Sequence, residues 1–316
     1  MINSITHELD LDGLGSQAII RRFFKLNPEK KNNKFNVQYA HYTNFMGIVI
    51  ETLNSIPPDG QIVISDIGFN DEFKLLFPLF EKVKRKNCKI FWFDHHIIDE
   101  IIEKKIKKVI ELYINDSNRC TAEIVKDYYL HNDPIAIKIA SYSRDIDFNE
   151  GKYEIATKLQ SIIAFNRGDK LIDNKKKIVE MMSNGIFEND WYSEQLAKIK
   201  VWEEKESQFA INHTEILNVK EFGNFIISFA KIGGGKIVNL LRDHFPEMKL
   251  YIGIDIRYNE IIIHSDYLNC RELARNFKGG GHKNRAGFKF EDIFTNNYEI
   301  SDNFLQQIKI SIYIKI

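Results

Sequence analysis

The chain places histidine and aspartate in short runs where apolar stretches stop. These are Thr6-His7-Glu8-Leu9-Asp10-Leu11-Asp12-Gly13, Asp66 after Gln61 to Ser65, Asp94-His95-His96 after Lys89 to Phe93, and Ser141-Tyr142-Ser143-Arg144-Asp145-Ile146-Asp147. Taken singly, such residues cap helices or form turns. Gathered at one rim, two or three imidazoles and four or more carboxylates would repel strongly unless cations neutralised them. The chemistry they offer together is metal binding. Imidazole and carboxylate without cysteine suit Mn²⁺ better than Mg²⁺, with zinc a further option. There are enough donors for two divalent ions sharing one carboxylate, the arrangement used to displace an oxygen at phosphorus.

Such a gathering requires a parallel sheet, because open α/β folds place their sites at the carboxyl ends of strands. The first half has that texture. Strands are expected at Ile2 to Thr6, Phe35 to Ala40, Gln61 to Ser65, Lys89 to Phe93 and Val109 to Ile114, and helices from about Leu14 to Leu26, Asn44 to Ser55, Asp71 to Lys86 and Cys120 to His131. The alternation predicts an α/β fold with a doubly wound, mainly parallel sheet of about five strands over residues 1–150. From Gly151 to Asn212 helical periodicity replaces the strand pattern, as in Trp191, Leu196, Ile199 and Trp202, and a helical connector is expected. Over 213–316 the alternation resumes as a smaller α/β domain. Its strands are expected at Thr214 to Val219, Phe222 to Phe229, Leu250 to Ile256 and Glu260 to His264, with a helix at Lys236 to Phe245. The tail Ile308 to Ile316 has isoleucine at every even position, which reads as one face of a strand.

Composition narrows the function. Lys plus Arg and Asp plus Glu are 44 each, so no global field holds a long nucleic acid. The hydrophobic share of 44% with 28% charged residues fits a globular protein rather than a disordered or membrane-embedded one. Three scattered cysteines and an amino terminus without a signal-peptide layout point to the cytoplasm and to no membrane partner. Gly233-Gly234-Gly235-Lys236 lacks the spacing of a nucleoside triphosphate cradle and reads as a turn into a helix. Arg119, beside another strand end, is a modest candidate for phosphate contact.

The four aspartate and histidine runs, in order and approximate spacing, resemble the DHH phosphoesterase superfamily. That resemblance implies that His7 and Asp10 bind one metal, that Asp12, His95 and Asp145 bind the other, and that Asp66 bridges them. Asp147, two residues on, is the alternative to Asp145. His96 would face the substrate phosphate, and Asp94 would orient the neighbouring histidines. A second match lies in Gly279-Gly280-Gly281-His282 with Ala286-Gly287, after the helix-like Asn269 to Lys278. It is similar to the signature of the DHH-associated C-terminal domain (DHHA1), whose glycine backbone and imidazole would hold a nucleotide.

Together the two matches resemble the small bacterial two-domain proteins of the oligoribonuclease or nanoRNase type. They imply a Mn²⁺-dependent phosphoesterase acting on short single-stranded oligonucleotides or adenosine 3′,5′-bisphosphate, with catalysis at Asp66, His96 and Asp94. Where related domains have Arg-Ser, this chain has His264-Ser265, a weaker phosphate clamp for which Arg271 and Arg285 could compensate. The alternatives are a linear or cyclic dinucleotide phosphodiesterase and a non-catalytic nucleotide-binding module. An oligomer is compatible with all of these.

Overall fold

The amino-terminal segment Ile2–His7 forms β1, an interior strand of the first sheet. It pairs in parallel with β2 (Phe35–Ala40) on one side and β3 (Gln61–Ser65) on the other. Next come β4 (Lys89–Asp94) and β5 (Leu112–Asn115), also parallel, giving the order β2-β1-β3-β4-β5. The computed structural model describes residues 1–27, 35–168, 171–294 and 299–314.

The strands are buried on both faces, and their alternation shows it. Val63 and Phe93 join α1 (Leu11–Leu26), α5 (Thr121–Tyr129) and α6 (Pro134–Asp147) in one core. Ile62, Ile64, Ile90 and Trp92 face the opposite core, with α2 (Phe45–Ser55), α3 (Phe77–Lys84) and α4 (Glu100–Val109). The expected doubly wound sheet is therefore present. Its strand order reverses between β1 and β3, so a crevice opens at their carboxyl ends.

The connector expected over 151–212 does not stand apart. Helices α7 (Glu154–Phe165) and α8 (Ile172–Ser183) bury Leu159, Ile162, Ile163, Ile178, Val179 and Met182 in the same core as Leu14, Ala18 and Ile19 of α1. The compact units are Met1–Ile199 and Lys200–Ile316, and the division falls within α9 (Asp190–Asn212). Helical periodicity marked this stretch correctly, but periodicity alone does not say which surface an apolar stripe meets.

The second unit holds a six-stranded mixed sheet in the order β10-β11-β9-β8-β7-β6. Its strands are β6 (Glu215–Val219), β7 (Gly223–Ala230), β8 (Leu250–Asp255), β9 (Glu260–His264), β10 (Gly280–Gly281) and β11 (Arg285–Lys289). Only β7 and β8 pair in parallel; the other pairs are antiparallel. Helix α10 (Gly234–His244) covers one face, and α11 (Cys270–Arg275) and α12 (Asp302–Tyr313) contribute to the core on the other. The run Gly233 to Lys236 is the expected turn into a helix. A Cβ on Gly234 would stand 2.5 Å from the Gly253 carbonyl oxygen, so the helix can start this close to β8 only with glycine there.

The tail corrects the strand expectation. Residues 308–313 end α12, in which Phe304, Ile308 and Ile312 are fully buried four residues apart while Ile310 is 55% exposed. An every-second-residue pattern contains the every-fourth pattern, and here the helix uses the second. Ile308→Ala should therefore destabilise the second unit by about 2–5 kcal/mol, and Ile310→Ala by no more than about 0.5 kcal/mol, in denaturant titrations. Equal losses would restore the strand.

Candidate metal centre

The loop joining β1 to α1 begins the site. His7 is the last residue of β1, and Asp10 caps α1 by accepting a 3.0 Å hydrogen bond from the Gly13 N–H. Gly13 fits because α1 starts against β1; a Cβ would lie 2.2 Å from the His7 carbonyl oxygen. The other Asp10 oxygen lies 2.9 Å from His7 Nδ1, which is also 3.4 Å from Asp66. Asp66 follows β3 with φ of 60°, a left-handed conformation that aspartate tolerates at modest cost and that persists where surroundings enforce it. Its other carboxylate oxygen is 3.5 Å from His95 Nε2 and accepts from the Thr121 hydroxyl at 3.2 Å.

Asp12 completes this side from the first turn of α1. Its two oxygens accept the Thr121 and Ala122 amides at 2.7 and 2.8 Å, so its carboxyl group sits at the amino end of α5. Asp12 also lies 3.9 Å from His95 Nε2. Three sets of donor atoms thus converge, namely His7 with Asp10 and Asp66, Asp12 with His95 and Asp147, and Asp66 with His95 and His96. Asp66 belongs to two of them, and so does His95.

The fourth run needs correcting. Asp145 does not face the centre; its carboxylate accepts the Lys152 and Tyr153 amides at 2.6 and 2.9 Å and so fixes the turn after α6. Asp147 takes the expected place, 3.4 Å from His95 Nδ1. Two positions along a helix differ by about 200°, so only one of the pair can face the crevice. Arg119 is also occupied elsewhere, paired with Asp116 and Asp127.

Asp94 is fully buried and orients His96, accepting from its Nδ1 at 2.8 Å and from its amide at 3.2 Å. Asn115 holds this pair by donating to Asp94 and to the His96 carbonyl. His96 itself remains 42% exposed and available to a ligand. Sequence reasoning missed Tyr42, whose ring stands edge-on to both His7 and His96 and whose hydroxyl accepts the Gly68 amide at 3.0 Å. Gly68 is required by that packing, since a Cβ would meet His96 Cβ at 2.7 Å. The available signal was that Tyr42 follows the end of β2, another strand opening on the same rim.

Charge coupling is the dominant electrostatic fact. Burial opposes protonation of His7, but hydrogen bonds and charge from Asp10 and Asp66 outweigh it and raise its pKa to about 10. His95 is likewise opposed by burial yet raised to about 9 by Asp66, Asp12 and Asp147. Burial would push Asp66 up, yet the two histidines hold it well below the usual carboxylate range. Asp12 and Asp147 are raised, first by burial and then by neighbouring carboxylates. Protons on imidazole thus do the neutralising that a cation would do. Donor chemistry and convergence fit divalent ions, with His7, Asp10, Asp12, Asp66, His95 and Asp147 as the residues to hold them.

In the second unit, β11 sets Arg285 opposite His264 and Ala286 opposite Gly281. His264 is buried, its Nε2 has no hydrogen-bond partner among the described residues and lies 3.7 Å from Asp266, and burial followed by the charge of Arg242 lowers its pKa. Arg271 Nε donates to the Gly281 carbonyl at 2.6 Å, and Arg285 donates to the Gly235 carbonyl and Asn239. The two arginines therefore brace the glycine segment and α10. Gly280 is open on its Cβ side and His282 is exposed.

A model of the DHH family, N-terminal domain, matches residues 2–164. The chain belongs to the DHH family. Among solved structures, a DHH-domain member of the s1p family of ribosomal proteins aligns at a TM-score of 0.54 and 16% identity, covering 99% of this chain and 87% of that one. A pGpG-specific phosphodiesterase from Vibrio cholerae aligns at 0.52 and 10%, covering 99% and 98%. An uncharacterized Helicobacter pylori protein has 20% identity over 99% of both chains with a TM-score of 0.46. No curated protein matches. The first two likenesses show a shared fold. Among the described residues no helix is long and apolar enough to cross a membrane.

Two measurements follow. A divalent ion must displace protons from His7 and His95, so apparent Mn²⁺ affinity should rise with pH, by up to about tenfold per unit for each proton displaced between about pH 6 and 8. Calorimetry in buffers of different ionisation enthalpy reads the protons released; a pH-independent affinity would refute this. Asp147→Asn should weaken Mn²⁺ binding with little change in stability, whereas Asp145→Asn should cost about 1–3 kcal/mol of stability by loosening the turn.

Proposed function

We propose that this DHH protein is a metal-dependent phosphoesterase, with Mn²⁺ as the preferred ion, acting on short oligonucleotides, nucleoside 3′,5′-bisphosphates or both. The observation carrying the proposal is the convergence of three donor sets on one crevice, linked to one another through Asp66 and His95. Divalent ions bound there supply Lewis-acid charge opposite a phosphoryl group and lower the pKa of water.

The chain's own groups do the rest. Asp66 holds both halves of the centre together from a backbone position fixed by the hydrogen bond its N–H donates to the Phe93 carbonyl at 3.0 Å. His96, aligned by Asp94 and raised in pKa first of all by that hydrogen bond, offers a ring N–H donor to a non-bridging phosphate oxygen. Tyr42 walls the space between His7 and His96. In the second unit, exposed His282 and open Gly280 support a nucleotide-holding role for Gly279 to His282, with His264 close by in the sheet.

Small substrates are favoured because the balanced charge supplies no field to retain a long strand. The fold shared with a pGpG-specific phosphodiesterase supports including a linear dinucleotide in that class. A cytoplasmic setting suits these substrates and the three free, buried cysteines.

The test supplies Mn²⁺ with a labelled dinucleotide, adenosine 3′,5′-bisphosphate and a strand of about 24 nucleotides. One or both small substrates should turn over, and the long strand at least about tenfold more slowly. Asp66→Asn, which keeps the left-handed backbone acceptable, should reduce turnover by about 10³-fold or more in protein that still folds. His282→Ala should chiefly raise KM. Failure of wild-type protein to release phosphate or mononucleotide from any of them would leave the non-catalytic module.

A further inference from the structure

The loop that carries the centre, residues 8–11, is gripped from outside by three side chains. Gln160 of α7 accepts the Leu11 amide at 2.8 Å. Arg167 donates from Nε and Nη2 to the Leu9 carbonyl at 3.1 and 2.6 Å. Lys175 of α8 pairs with Glu8 through Nζ, and both residues are almost wholly buried, at 1% and 2% exposure. Glu8 is also anchored through its amide to the Ala40 carbonyl at 3.0 Å, and its other carboxylate oxygen lies 3.8 Å from His41 Nε2.

A buried ion pair is a poor device for stability, because desolvating both charges offsets their attraction and an apolar pair of similar volume does as well or better. What the pair does supply is one allowed position. Glu8 sits between His7 and Asp10, so its ion pair ties the backbone that aims both donors at Asp66 to Lys175 of α8. Leu9, held by Arg167, is the next residue, and Leu11, held by Gln160, precedes Asp12.

We propose that Lys175 is a positioning residue. Through Glu8 it fixes the segment between His7 and Asp10 so that imidazole and carboxylate stay convergent on Asp66. This rests on the reading of the centre as a divalent-metal site.

The experiment compares wild type with Lys175→Met, Lys175→Arg and the double variant Glu8→Met with Lys175→Met, and with Lys176→Met as the exposed neighbour. Readouts are Mn²⁺ affinity by calorimetry, Tm of the metal-free protein, and kcat and KM on whichever small substrate turns over. The double variant removes both buried charges, so it should fold with Tm at or above wild type while Mn²⁺ affinity or kcat falls about 10–100-fold and KM hardly changes. Lys175→Arg should recover part of the loss, and Lys176→Met should match wild type. A folded double variant with wild-type Mn²⁺ affinity and kcat overturns the proposal and leaves the phosphoesterase reading intact. Wild type that binds Mn²⁺ but cleaves nothing, with binding weakened in the double variant, supports the proposal and refutes that reading. Wild type that binds no Mn²⁺ overturns both.

Discussion

Carboxylates crowded into a low-dielectric crevice repel one another, and everything else in the first unit is arranged to make that crowding tolerable. Asp66 is the extreme case. It is 2% exposed, and it is stabilised by His7 on one side, His95 on the other and the Thr121 hydroxyl. Asp12 survives burial because two amides at the start of α5 receive it. The parallel sheet makes this possible, since it brings the ends of β1, β3 and β4 side by side and puts helix amino termini next to them.

Much of this was legible because the chemistry lies where strands stop. The paired residues Thr6 and Ser65, and Ser65 and Phe93, set His7, Asp66 and Asp94 at neighbouring strand ends, which apolar runs followed by polar ones had already indicated. Spacing could not choose between Asp145 and Asp147. That choice depends on the rotation of α6 and on two amides at 152 and 153 that close onto Asp145. The isoleucine tail failed for a related reason, since its pattern satisfied two periods at once and packing against the second sheet selected the helical one.

The stretch after residue 150 was hardest to read. Its helical pattern was plain, but Gln160, Arg167 and Lys175 look like ordinary surface residues of charged helices. Their partners are 149, 158 and 167 residues away along the chain, two of them backbone groups, which carry no sequence signal. Only the tertiary structure shows that α7 and α8 support the β1–α1 loop. Tyr42 escaped notice similarly, because an aromatic residue after a strand has no signature until its neighbours are known.

The position of Asp12 ties two processes together. One carboxylate terminates α5 and also belongs to a donor set, so an ion bound there engages only chains in which α5 has docked. Occupancy then favours the native fold by mass action. Under the proposed metal reading, a cell short of the ion would lose folded chain along with turnover.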